Sequence, residues 1–152
     1  MGINTTLRYK KLALNVSMNG AMGQDIYNNT LNGVLNLAAL NGGRNIAASV
    51  FENPTKEAVS NRVTASSRYI EKGDYLKMNN ATLSYTIGNL SKTFKGVNLF
   101  VTGQNLFVIT NYSGFDPEVN VNKSVSDIPS LGIDYTAYPS ARTILFGLNF
   151  SL

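Results

Sequence analysis

The sequence predicts an all-β fold: a segment of an antiparallel transmembrane β-barrel. Three observations predict it. In residues 142–152, Ile144, Phe146, Leu148, Phe150 and Leu152 fall on one face of a strand. Thr143, Leu145, Gly147, Asn149 and Ser151 fall on the other, because successive side chains alternate. That run has the length of a bilayer-crossing strand, about ten tilted residues. Composition agrees: charged residues make up only 14%, against roughly 25% in soluble domains. Asn, Ser, Thr, Gly and Tyr take their place, as suits a sheet with lipid on one side and a neutral wet interior on the other. Finally, the connections are of two kinds, short and basic or long and rich in turn formers, the asymmetry of outer-membrane barrels. Soluble sheets alternate too, so the pattern alone leaves open a free-standing carbohydrate-binding β-sandwich module.

The elements follow in order. Strand 3–10 alternates Ile3, Thr5, Leu7 and Tyr9 with Asn4, Thr6 and Arg8. Lys10-Lys11 breaks the run as a tight hairpin. Strand 12–23 sets Leu12, Leu14, Val16 and Met18 opposite Ala13, Asn15, Ser17 and Asn19. Residues 24–73 show little period-2 pattern and read as a long loop, with a short helix around Leu31, Val34, Leu35, Leu37, Ala38 and Leu40 limited by Asn36 and Asn41-Gly42-Gly43. Strand 74–87 contains a phase slip. Leu76 and Met78 hold one parity, and Ala81, Leu83, Tyr85 and Ile87 the other, which predicts a β-bulge at Asn79-Asn80. A polar connection with Lys92 and Lys95 leads to strand 97–110. Residues 111–141 form a second long loop, with Pro117, Pro129 and Pro139, in which Asp116, Glu118, Asp127 and Asp134 face a single Lys123. Strand 142–152 closes the series, so five strands are expected.

Composition also excludes. Without Cys or His the chain has no disulfide, no Cys/His zinc site and no Ser-His or Cys-His nucleophile pair. The usual general base is missing, so the chain is not expected to be an enzyme. A scattered net charge of +4 argues against nucleic acid as a partner. No cofactor or metal is expected; Asp116 and Glu118 flank Pro117 as a turn and lack the spacing of a calcium loop. No signal peptide is visible, and no apolar run approaches the ~18 residues of a membrane helix.

Several separated motifs resemble one family. Gly103-Gln104-Asn105-Leu106-Phe107, then Tyr112-Ser113-Gly114-Phe115-Asp116-Pro117-Glu118, are similar to the C-terminal region of the SusC/RagA family. Arg68 to Asn80, Ala81 to Thr86, Tyr138-Pro139-Ser140-Ala141-Arg142-Thr143, Leu14 to Gly20 and Asp25 to Asn28 match in the family's order. Leu152 stands where the family ends in Phe, with Phe150 two residues earlier on the same face. The resemblance implies a TonB-linked transporter in the outer membrane of a Gram-negative, Bacteroidetes-type bacterium. It would import glycans or other oligomeric nutrients, sometimes peptides, through a barrel of about 22 strands. Residues 1–152 would be the C-terminal portion of the barrel domain, with the plug, the TonB box and the N-terminal strands outside it. Implied partners are a SusD-like surface lipoprotein acting as a lid, the TonB complex acting through the missing N-terminal part, the lipid bilayer, and an oligosaccharide or peptide substrate.

Candidate site residues fall into two sets. Asn15, Ser17, Asn19, Gln104 and Asn149 are expected to face the lumen, where amides offer both donors and acceptors to hydroxyl-rich ligands. Tyr112, Phe115, Tyr135 and Tyr138, in the long loop, are candidates for lid or ligand contact or for stitching the loop to itself. Tyr9 and Tyr85 are candidate girdle aromatics.

Overall fold

The computed structural model describes residues 1–52, 66–88, 96–119 and 131–151. Its strands are β1 (Gly2–Tyr9), β2 (Leu12–Ala21), β3 (Asp25–Asn28), β4 (Ile70–Lys72), β5 (Tyr75–Gly88), β6 (Gly96–Thr110), β7 (Ile133–Asp134) and β8 (Thr143–Ser151), with one α-helix, α1 (Asn29–Val34), after β3. The chain divides into two compact units. Residues 1–22, 75–110 and 140–152 form a sheet unit; residues 23–74 and 111–139 form an insertion unit. Among the described residues no helix is long and apolar enough to cross a membrane.

The sheet unit is a five-stranded sheet in the order β1-β2-β5-β6-β8, with every neighbour antiparallel. These are the five strands the alternation predicts. The second ends at Ala21, before Gly23 turns to a positive φ of 76°. Pro54, Lys92, Lys95, Lys123, Asp127, Pro129 and Leu152 lie outside the described residues.

Register shows why the parity matters. Tyr9 pairs with Leu12, Leu12 with Tyr85, Tyr85 with Leu99, and Leu99 with Leu148. The next row of the same face is Leu7, Leu14, Leu83, Val101 and Phe146. Apart from Thr5, one whole face of the sheet is therefore apolar, and it is uncovered. Phe146 is 82% and Leu148 58% exposed, and Ile3, Leu7, Tyr9, Leu83, Ile144 and Phe150 are exposed with them. A sandwich would have buried that face against a second sheet. Soluble monomers rarely leave so large a continuous apolar patch in water, and each such side chain gains about 1.5–3 kcal/mol when removed from it.

The bulge lies where the parity slips. Ser17 pairs with Asn80 but Met18 pairs with Met78, so β5 carries Asn79 as an extra residue opposite β2. Across β5 and β6 the compensation follows: Met78 pairs with Phe107 and Asn80 with Gln104, leaving Asn105 and Leu106 opposite Asn79 alone. Asn105 adopts a positive φ of 50° there. The double irregularity returns Met78 and Phe107 to the apolar face.

The insertion unit departs from the expectation of patternless loops. It holds a three-stranded sheet in the order β4-β3-β7, with β3 antiparallel to β4 and parallel to β7. The two faces of β3 feed two separate cores. Ile26 packs with Tyr112, Val119 and Ala137, whereas Tyr27 packs against the buried group of Leu35, Val50 and Tyr69. The Tyr27 and Tyr69 rings meet edge to face at 6.4 Å, a favoured aromatic geometry. The expected short helix is split at Asn36. α1 ends before it, and a 3₁₀ helix, Leu37–Gly42, starts after it with the Asn36 side chain accepting from the Ala38 N–H.

Candidate functional site

Opposite the apolar face, the sheet presents small polar side chains. Register places Asn4, Ser17, Asn80, Gln104 and Thr143 in one row, and Thr6, Asn15, Thr82, Thr102 and Leu145 in the next. The five lumen candidates, Asn15, Ser17, Asn19, Gln104 and Asn149, all share this face. Several of its polar groups bond across strands. Thr6 Oγ1 donates to Asn15 Oδ1 at 2.7 Å, and the Thr82 and Thr102 hydroxyls lie 2.8 Å apart. Asn19 Nδ2 donates to the Tyr75 hydroxyl at 3.3 Å. Such cross-strand pairs stabilise the sheet by about 0.2–1 kcal/mol each. Asn15, Gln104 and Asn149 are exposed. Phe100 also stands on this face, as Tyr75 does. Phe100 lies over Gly147, where an added Cβ would fall 2.1 Å from the ring.

The Gly103-Gln104-Asn105-Leu106-Phe107 motif is the β6 side of the bulge. Its left-handed Asn105 uses the side chain that bulge exposes: Nδ2 donates to the Ala141 carbonyl at 3.0 Å. That bond ties the motif to the Tyr138-Pro139-Ser140-Ala141-Arg142 run ahead of β8. Beside it Lys77, a buried cation of the polar face, reaches the Ser140 hydroxyl at 3.4 Å. The backbone constraint gives both sequence motifs a physical reason: they hold the last described strand pair in register.

Within the insertion unit a polar network links its two chain segments. The Glu71 carboxylate accepts from the Ser113 N–H at 2.9 Å, the Ser113 hydroxyl at 2.7 Å and Asn28 Nδ2 at 2.9 Å. Asn28, itself buried, also caps α1 by accepting from the Leu31 N–H at 2.8 Å. Asp134, 4% exposed, accepts from the Tyr112 hydroxyl at 2.6 Å and from Thr30 at 3.3 Å. Thr30 in turn accepts from the Thr136 N–H at 2.7 Å. Around this network lies a hollow of about 190 Å³, lined by Leu31, Val34 and Phe115 with Asn28, Thr30, Ser113, Gly114 and Asp134.

The four aromatic candidates separate accordingly. Tyr112 is 5% exposed and braces the loop from inside. Its ring occupies the space beside Gly114, where a Cβ would lie 2.3 Å away, which accounts for glycine in that motif. Phe115 and Tyr135 are exposed, and Tyr138 is 94% exposed. The Asp116-Pro117 turn forms as expected, with Asp116 Oδ1 accepting from the Glu118 N–H at 3.0 Å. Among the described residues no group of acidic side chains is arranged to hold a metal ion. Sequence reasoning did not single out Glu71, Asn28, Ser113 or Lys77. All four lie within motifs that resemble the family, but nothing in those motifs marks their partners.

Glu71 supplies a pH prediction. Burial pushes its pKa up, but the bonds from Ser113 and Asn28 outweigh burial and hold it below the usual 4.5. A depressed folded pKa means stability present above the unfolded value and lost as pH falls through the folded one. Protection from hydrogen exchange around Ser113, taken relative to the intrinsic rate at each pH, is expected to stay constant from neutral pH to about 4.5 and to fall below it. Glu71→Gln should exchange faster at neutral pH, because its amide N–H₂ meets donors, and should show no acid step. An acid step of unchanged size in Glu71→Gln would refute this assignment.

Comparison with known proteins completes the picture. No family model matches the chain. Over 98% of its length it is 35% identical to TonB-dependent receptor P3 of Formosa agariphila, and over the same share 32% identical to TonB-dependent receptor SusC of Bacteroides thetaiotaomicron. The chain is a SusC/RagA-like segment of the TonB-dependent transporter family. It spans 16% and 14% of those two receptors. Solved structures agree on the fold. The RagAB peptide importer in its open-open state superposes with a TM-score of 0.74 at 19% identity, covering 99% of this chain and 17% of that one. A structure of the RagAB peptide transporter gives 0.72 at 19% identity, covering 94% and 16%. The five-stranded sheet of the SusC/RagA-like segment is thus a partial β-barrel wall.

Proposed function

We propose that the segment walls the pore of a TonB-dependent importer in the outer membrane of a Gram-negative, Bacteroidetes-type bacterium. The apolar face lies against acyl chains and the polar face lines the interior. The observation that carries this reading is the uncovered apolar face, with Phe146 at its most exposed point. Both long insertions leave the sheet at the end where Ala21, Tyr75 and Thr110 pair, and we assign that end to the cell exterior because outer loops of such barrels are the long ones. The cargo is an oligomeric nutrient. The amide-rich polar face suits a glycan, and the likeness to RagAB, named as a peptide importer, supports a peptide. A SusD-like lipoprotein and the TonB complex are the partners the family implies. Phe115, Tyr135 and Tyr138 are exposed aromatics that cargo or lid could meet.

The chain has no cysteine, so single substitutions report on each face. In outer membranes, Asn149→Cys should react with a water-soluble maleimide, and Leu148→Cys only after the membrane is dissolved. Equal labelling of both, or recovery of the protein from the soluble fraction, would sink the barrel assignment.

A further inference from the structure

Charge is partitioned between the two units. All 9 Asp and Glu residues of the chain fall in residues 23–74 and 111–139, so the sheet unit contains no carboxylate side chain. Its cations include Lys10 and Lys11 in the β1–β2 turn. Those two lysines end the apolar face at a row containing both its tyrosines, Tyr9 and Tyr85. Lys10, turned by a positive φ of 53°, holds its ammonium 5.4 Å from the centre of the Tyr9 ring. Lys11 is fixed by the Thr86 N–H donating to its carbonyl at 2.9 Å, and its ammonium reaches the Ile87 carbonyl at 3.3 Å. Both lysines are exposed.

The geometry points to a binding site for the phosphate of an anionic lipid headgroup at this hairpin. The inference rests on the barrel reading and adds a lipid preference at one named place. Continuity decides the occupant: a lipid whose acyl chains cover Leu14, Leu83 and Val101, the next row inward, has its headgroup at the tyrosine row. Amphipathic rings favour that level, and cations just beyond it meet the phosphate without a carboxylate of the same unit to compete. A freely diffusing phosphate would gain nothing from the adjoining apolar surface.

The test uses protein purified from outer membranes and placed in nanodiscs of equimolar phosphatidylcholine and phosphatidylglycerol, with retained lipid read by native mass spectrometry. Phosphatidylglycerol should be retained over phosphatidylcholine. The Lys10→Gln, Lys11→Gln double variant should retain it on the order of fivefold less per lysine removed, and the Lys10→Arg, Lys11→Arg variant should keep it. Equal retention of both lipids, undiminished retention in the Gln variant, or displacement by millimolar inorganic phosphate would each overturn the site. Failure to insert, seen as loss of the heat-modifiable folded band, would instead defeat the barrel reading itself.

Discussion

Phe146→Arg is expected to cost about 2–4 kcal/mol of stability in a bilayer, and Asn149→Arg less than about 0.5. The two positions lie three residues apart on one strand, β8, and differ in face. Phe146 shares a row with Leu14, Leu83 and Val101, an entirely apolar stripe. An arginine there removes a guanidinium from water and sets it in hydrocarbon, and the cost depends on depth. Tyr85→Arg, in the row that ends at the lysine hairpin, should therefore cost under about 1 kcal/mol, because a long cationic side chain reaches the headgroups from there. Urea unfolding in lipid vesicles measures all three. The ordering is the decisive feature. In plain buffer an 82% exposed Phe146 would accept arginine at little cost, so a penalty that appears in lipid and grows toward mid-strand belongs to the membrane. Equal costs at Phe146 and Asn149 would overturn the assignment of the faces.

The sheet was legible because its two faces meet different surroundings, and parity then shows directly in the residues. The bulge was legible for the same reason: Met78 and Ala81 cannot share a face without an extra residue, and Asn79 is that residue. The insertion unit hid itself. Its strands are as short as Ile133–Asp134, too short to establish a period, and β3 sends Ile26 and Tyr27 into two different cores, so it carries no polar face to alternate with. The acceptor network was hidden by distance along the chain. Glu71 and Ser113 are 42 residues apart, and nothing local marks them as partners. Of the aromatic candidates, the sequence could not tell Tyr112 from Phe115. Only the buried Asp134 beside one of them separates a brace from an exposed ring.

That brace carries the second large effect. Tyr112→Phe removes one oxygen and is expected to destabilise the insertion unit by about 1–3 kcal/mol. The phenol's volume is not the issue, since Phe fills the same space beside Ile26 and Val119. What is lost is the 2.6 Å bond to Asp134, a carboxylate only 4% exposed, which then keeps the weaker 3.3 Å bond from Thr30. A buried charge stripped of a donor bears its desolvation cost uncompensated. Burial first, then the Asp134 hydrogen bond and charge, and then the charge of Glu71, push the Tyr112 pKa far above its ordinary 10.0. The hydroxyl therefore stays protonated in the folded unit. Its stabilisation is fully present below the unfolded pKa, roughly 10, and declines only as pH climbs above it. Hydrogen exchange at Tyr27, whose N–H donates to the Gly132 carbonyl at 2.8 Å beside β7, reads the loss directly. In Tyr112→Phe it should quicken by about five- to a hundredfold or more at neutral pH where the unit opens as a whole, while exchange in β5 and β6 stays unchanged. Asp134→Asn combined with Tyr112→Phe should cost less than Tyr112→Phe alone, because the uncompensated charge is gone. If the double variant is the less stable of the two, the carboxylate was not what Tyr112 serves.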